Sequence, residues 1–163
     1  MVARHLIGNG HRRLAFLPIS QLDYRGEWSS LQVPILRGFA EVCREKKASF
    51  PEEAFWSLLH GAHFDSAVAP LLKGRNRPTG IFQYMDFYLR GSLLPLIEKC
   101  GLKPMKDVEL VGFYNTHHAE ECGFSSVGIQ EQKLADAAVR LLIGESGEDE
   151  TVIPPELVVR GGR

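Results

Sequence analysis

With 163 residues, the chain is long enough for one domain with a sizeable core, since a chain of this size buries about two-thirds of its unfolded surface. Apolar residues at 44% and charged residues at 24% are near the globular average, which excludes a disordered, coiled-coil or collagen-like chain. Nineteen Lys and Arg against twenty Asp and Glu leave a net charge of -1, so the whole-chain field does not gather phosphate backbones and argues against free-standing nucleic-acid binding.

Cys43, Cys100 and Cys122 are odd in number and far apart, and read as reduced interior thiols. MVARHLIGNGHRR has no apolar segment before a small-residue cleavage site, and no apolar run approaches the ~20 residues of a membrane helix. The expectation is a cytoplasmic protein.

Leu14 to Ile19 is a continuous apolar run between polar turns, the pattern of a strand buried on both faces of a parallel sheet. Leu36, Phe39, Ala40 and Cys43 then share one face of a helix near 34–47, with Pro34 in its first turn. Ala54 to Leu59 is read as a second strand. Asp65 or Ser66 is placed to cap a short helix ending before Gly74, with Pro70 inside it. GIFQY, from Gly80, is a third strand. Asp86 stands before a long helical pattern through Leu89, Leu93, Ile97 and Cys100, with Gly101 at its left-handed end and Pro95 expected to kink it. Val108 to Phe113 is the fourth strand, followed by a loop rich in His, Asn and Gly. Leu134, Ala137, Ala138, Leu141 and Leu142 form the cleanest amphipathic helix. GESGEDE, 144–150, is a solvated acidic turn, and LVV follows Pro154 and Pro155. Alternating strands and helices predict an α/β fold, a mainly parallel sheet flanked by helices.

The usual enzyme anchors are absent. GNG at 8–10 precedes a strand and has Arg13 where a dinucleotide loop needs glycine; no GxxxxGK[ST], GxSxG or CxxC occurs. His60 with His63, and His117 and His118 with Glu120, Glu121 and Cys122, have the residue types of metal ligands, but surface histidines are the commoner reading and no metal site is assigned. Asp86 is read first as a helix cap and second as a polar group in a ligand crevice at the carboxyl ends of the strands. Tyr84, Tyr88, Tyr114 and Trp28 are aromatic groups able to line such a crevice.

HLIGNGHRRLAFL, LRGFAE, RPTGIFQYMDFYLRGSLLPLIEKCGLKPMKDVELVGFYN, FSSVGIQEQKLADAAVRLL and PPELVVR occur in an order that closely resembles the effector-binding module of the lactose-repressor (LacI) family. The most specific pieces are GHRRLAFL (10–17), PTGIFQYMD (78–86), KDVELVGF (106–113) and PELVVR (155–160). The resemblance implies a periplasmic-binding-protein-like lobe and a partial effector-binding domain over 1–163. In that reading 11–124 and 150–163 form the second lobe, and 1–10 and 125–149 belong to an incomplete first lobe. It implies an effector held between lobes, no cofactor, no enzymatic activity, and DNA contact only through a helix-turn-helix absent from this chain.

The ligand-contacting positions implied are Ile35, Arg37, Asp86, Phe87, Tyr114 and Asn115. Several depart from the family pattern. Ile35 stands where a gripping arginine is usual, Tyr114 replaces the first acidic residue of the strand-four loop, and Met85 precedes the retained Asp86. The loss of a guanidinium and a carboxylate removes polar grip and favours a more apolar or aromatic ligand. The implied function is the effector-sensing and dimerising portion of a transcription regulator that binds a sugar or related metabolite. The alternatives are a solute-binding protein of a transport system and, less favoured, a small α/β enzyme. The apolar stripe of the 134–142 helix needs a cover, either a second copy in a homodimer or the chain's own sheet.

Overall fold

The computed structural model describes residues 1–19, 32–144 and 152–161. Trp28 and all of the acidic turn except Gly144 lie outside them.

Helix α1 (Val2–Gly8) precedes strand β1 (Leu14–Leu17), and α2 (Gln32–Glu45), α3 (Glu53–Leu59) and α4 (Phe64–Lys73) follow. After β2 (Gly80–Gln83) come α5 (Asp86–Tyr88), a π-helical turn (Leu89–Leu93) and α6 (Leu94–Lys99). Strand β3 (Glu109–Phe113), helix α7 (His117–Cys122), strand β4 (Ser125–Gly128), helix α8 (Glu131–Leu142) and strand β5 (Glu156–Val158) complete the order. The sheet runs β1-β2-β3-β4-β5; the first four strands are parallel and β5 is antiparallel. Phe16 lies opposite Phe82, Phe82 opposite Val111, and Val111 opposite Ser125.

Period-two alternation sends Leu14, Phe16, Phe82 and Val111 to one face, against Val2, Leu6, Leu36, Phe39 and Phe55. Ala15, Leu17, Ile81 and Leu110 go to the other, against Leu58, Val68, Leu72, Leu93 and Ile97. Both faces are covered, which is why these strands read as continuous apolar runs. On the first face Phe16 stacks on Phe82 with ring centroids 4.7 Å apart and meets Phe55 at 5.0 Å. The stack continues from Phe82 to Phe113 at 6.3 Å and ends on Tyr114, 4.7 Å from Phe113, at the carboxyl edge of the sheet.

Several expectations are corrected. Residues 54–59 are helical: Phe55, Leu58 and Leu59, at i, i+3 and i+4, are all buried, and that spacing is helical even in so short an apolar run. His60 and His63 therefore flank a helix-to-helix turn. The α4 helix starts at Phe64, after His63, with Asp65 already inside its first turn. The Pro95 kink takes the form of the π-helical turn ending at Leu93, which absorbs the backbone bond that proline cannot make. Gly101 does adopt the left-handed conformation, with φ of 78°. The loop after β3 contains α7, which closes on Gly123 at φ 74°. Ser125–Gly128, which the resemblance groups with 125–149 in another lobe, is buried throughout and hydrogen-bonded between β3 and β5. Likewise α1 packs Val2, Ala3 and Leu6 into the same core.

The α8 helix is amphipathic, yet none of its residues is buried; Leu134 and Leu141 are each 41% exposed and Leu142 85%. It does not fold back on its own sheet, so of the two covers considered for its stripe the second is not used.

The Phe16 ring touches three other aromatic rings across the sheet–helix interface. Phe16→Ala is expected to lower stability by about 3–5 kcal/mol, measured by denaturant unfolding. A loss under about 1 kcal/mol contradicts the central place of this stack.

Candidate functional site

The carboxyl ends of β2, β3 and β4 carry an unusual concentration of left-handed backbone. Met85 has φ of 78°, Tyr114 of 90°, Asn115 of 46° and Gln130 of 56°. Side chains with a Cβ resist this region at a cost of roughly 1–3 kcal/mol each, so the surrounding contacts must hold them there. Asp86 supplies such contacts around the turn that follows β3, while the Tyr114 N–H is held by the Val127 carbonyl at 2.7 Å and the Gln130 side chain by the Pro154 carbonyl. Asp86 is fully buried; its Oδ1 accepts from Ser126 Oγ at 2.7 Å, and its Oδ2 accepts from the Thr116 backbone N–H at 2.7 Å and from Thr116 Oγ1 at 3.1 Å. The carboxylate thus ties the end of β2 to the β3–α7 turn and to β4. Ser126 Oγ in turn accepts from the Asn115 backbone N–H at 3.0 Å.

Asp86 therefore neither caps its helix nor points an open oxygen into the crevice. The N-cap position is Met85, without a side-chain cap bond. Burial holds the Asp86 carboxyl above the ordinary aspartate range, outweighing the hydrogen bonds from Ser126, Thr116 and Phe113 that favour the charged form.

The remaining expected site residues are distributed unevenly. Tyr114 and Asn115 are half-buried at the edge, and Tyr114 Oη lies 3.4 Å from Tyr84 Oη. Burial first, and the contact with Tyr114 second, push the Tyr84 phenol above its ordinary value, so it stays a protonated hydroxyl at neutral pH. Phe87 is 61% exposed and sits edge-on to Tyr88 at 5.7 Å. Ile35 lines an apolar groove of about 290 Å³ with Met1, Phe39, Phe82, Phe113 and Val127. Arg37, two residues on along α2, is not brought to this groove; it lines a separate one of about 440 Å³ with Arg44, Glu52 and Trp56.

Two buried oxygens lack a partner among the described residues, Asn115 Oδ1 and Gln83 Oε1. Gln83, missed in the sequence reading, donates through Nε2 to the carbonyls of Leu17 and Tyr84. Its signal was a polar residue inside an otherwise apolar strand. Ser126 and Thr116 were missed as well, because their partner is thirty to forty residues away. Gln32 also carried no local signal; it clasps the Ile19 backbone from both sides, accepting from its N–H at 2.9 Å and donating to its carbonyl at 3.0 Å.

His117, His118 and Glu121 bring potential metal-ligand atoms within 4.8 Å of one another. The Arg90 guanidinium already engages this group, 3.3 Å from His118 Nδ1 and 3.5 Å from Glu121. The cluster is thus an ion network supplied with its own cation.

The model of the periplasmic binding protein-like domain matches residues 3–162. The chain belongs to that family. It is 26% identical over 168 residues to the HTH-type transcriptional regulator DegA of Bacillus subtilis, covering 97% of this chain and 47% of that protein. It is also 26% identical over 170 residues to the HTH-type transcriptional repressor PurR of Pectobacterium carotovorum, covering 98% and 47%. Among solved structures, a LacI-family transcriptional regulatory protein from Corynebacterium glutamicum superposes with a TM-score of 0.72 at 20% identity, over 99% of this chain and 62% of that one. The lac repressor bound to ONPG superposes with a TM-score of 0.65 at 18% identity, over 99% and 48%. The resemblance to LacI-family regulators and the mainly parallel, helix-flanked fold expected from it are both confirmed. The chain spans about half the length of the curated relatives it matches. Among the described residues, no helix is long and apolar enough to cross a membrane.

The raised folded-state value of Asp86 means that its contribution to stability is greatest below the ordinary aspartate range and declines as pH rises through the folded value. Asp86→Asn is expected to remove that acidic slope from the pH–stability curve. It also leaves one amide oxygen facing donors that two carboxylate oxygens served, at about 1–3 kcal/mol. Urea unfolding of both proteins across acidic pH checks this; parallel curves would contradict it.

Proposed function

We propose that this periplasmic binding protein-like chain is the effector-sensing and dimerising portion of a longer, cytoplasmic, LacI-type transcription regulator that is not an enzyme. In this reading a small molecule sits at the carboxyl edge of the sheet and changes the arrangement of two lobes, which a DNA-binding head reads. The observation that carries it is the braced edge itself: Tyr114 and Asn115 held in strained backbone above buried Asp86, with the Asn115 Oδ1 acceptor left open.

The contacting residues are Tyr114, Asn115 and Phe87 at the edge, with Ile35 on the flanking helix and Asp86 as the brace beneath; Arg37, turned to a separate groove, is not among them. Ile35 and Tyr114 stand where the family pattern has a guanidinium and a carboxylate. The ligand is therefore a sugar or related metabolite gripped by ring contact more than by ion pairing. The α8 helix belongs to the lobe whose other strands are not in this chain. For residues 1–163 alone, a second copy covers the helix.

Thermal-shift and calorimetric titration with a panel of sugars and nucleobases tests the ligand site. Tyr114→Ala is expected to weaken the best binder about tenfold, the loss of roughly 1–1.5 kcal/mol of ring contact, with the fold retained. Affinity indifferent to substitution at both Tyr114 and Asn115 would place the site elsewhere.

The association reading has its own measurement. Light scattering at high concentration is expected to give twice the mass of one chain, and Leu141→Glu is expected to return it to one. A wild-type protein of single-chain mass removes the dimer.

A further inference from the structure

A second polar cavity lies at the opposite, amino-terminal edge of the sheet. Its volume is about 490 Å³, within the ~300–1,000 Å³ of small-molecule sites. One wall is acidic. Glu109, the first residue of β3, has Oε1 2.9 Å from His5 Nε2 and 2.8 Å from Asn9 Nδ2, which donates to it. Its Oε2 is 2.7 Å from His11 Nε2, and the other nitrogen of that ring is 3.0 Å from Thr79 Oγ1. Three side chains from α1 and the turn after it therefore fix the carboxylate. Oε2 retains room for one more donor, since each carboxylate oxygen accepts about two.

The other wall is basic. The Arg160 backbone N–H donates to Ser125 Oγ at 3.0 Å, and Ser125 Oγ donates back to the Arg160 carbonyl at 3.2 Å. That pair fixes the backbone position of Arg160. Its guanidinium makes one long bond, 3.5 Å from Nη1 to the Phe124 carbonyl. Among the described residues no carboxylate pairs with it, so most of its five donors are open. Leu110 and Phe124 form apolar surface in the same cavity, and Gly8, Gly10 and Gly161 line it without side chains.

We propose that this cavity binds a small zwitterion of amino-acid size, its ammonium group toward Glu109 and its carboxylate toward Arg160. The charge balance selects that class. A dianion would set one charge against Glu109, and a dication would set one against Arg160, whereas a molecule with one charge of each sign satisfies both walls. The apolar atoms between the charged ends rest on Phe124 and Leu110. The site is separate from the carboxyl-edge one, because Glu109 and Phe113 are the two ends of the same strand.

The test is thermal unfolding of the 163-residue chain with the common amino acids, one at a time, at about 10 mM. Isobutylamine and isobutyrate serve as controls carrying one charge each. At least one amino acid is expected to raise the midpoint by a few degrees, with neither control doing so. Amide chemical shifts are expected to move at Gly10 and Gly161 and to stay fixed at Asn115. Arg160→Met, which keeps the stem and the backbone bonds to Ser125, is expected to abolish the shift, and Tyr114→Ala to leave it intact. Glu109→Gln gives the same loss if it folds; Arg160→Met decides the matter if it does not. The proposal is overturned if no amino acid stabilises the chain, if a single-charge control does as well, or if the shift survives Arg160→Met. Amide changes confined to Tyr114 and Asn115 overturn it too, and leave the carboxyl-edge reading standing.

Discussion

A single buried carboxylate organises the ligand-facing edge of this domain. Asp86 joins the ends of three neighbouring segments through Ser126 and Thr116, and nothing else among the described residues spans them in the same way. The arrangement requires Gly112 to have no side chain: a Cβ there would lie 1.9 Å from Asp86 Oδ1 and 2.9 Å from the Phe124 ring. Glycine in a strand interior ordinarily weakens it, so its place in VELVGF is explained by close approach and not by backbone freedom. Burying an aspartate is unfavourable unless its oxygens are matched, and here the matching donors are Ser126 on β4 and Thr116, the residue that follows the strained Tyr114 and Asn115. Brace and strain are one device, presenting Tyr114 and Asn115 in a conformation they would not adopt alone.

The layout of the sheet was legible because both of its faces are buried. LAFLPI, GIFQY and VELVGF are apolar runs short enough for strands and bounded by turns, and all three are strands. AFWSLL has the same length and composition but belongs to a helix, and only the positions of Phe55, Leu58 and Leu59 distinguish the two cases. The role of Asp86 was not legible. An aspartate ahead of a helical pattern is a common cap, and its real partners lie across the sheet on residues with no local signal. For the same reason Arg37 was placed with Ile35 by nearness in sequence, although two residues along a helix is about 200° of rotation and leads to a different groove.

The α8 helix marks the limit of pattern reading in another way. Its stripe predicts an apolar face, and periodicity cannot say what meets that face. In the structure the helix is formed and its stripe is open, whereas every other amphipathic helix of comparable length has buried residues. The stripe shares no core with the sheet, so the sheet does not fix what meets it.

The two edges of the sheet are linked by the first helix. Met1, Val2 and Ala3, at and before the start of α1, line the apolar groove beside Ile35. His5 and Asn9, at its other end, reach Glu109 and the amino-edge cavity. A helix of seven residues is about 10 Å long, enough to reach from one edge to the other. The helix is held along its length, by Val2, Ala3 and Leu6 in the core, by the 3.0 Å ion pair from Arg4 to Glu45 of α2, and by the bonds of His5 and Asn9 to Glu109, so one short element shapes the lining of both edges.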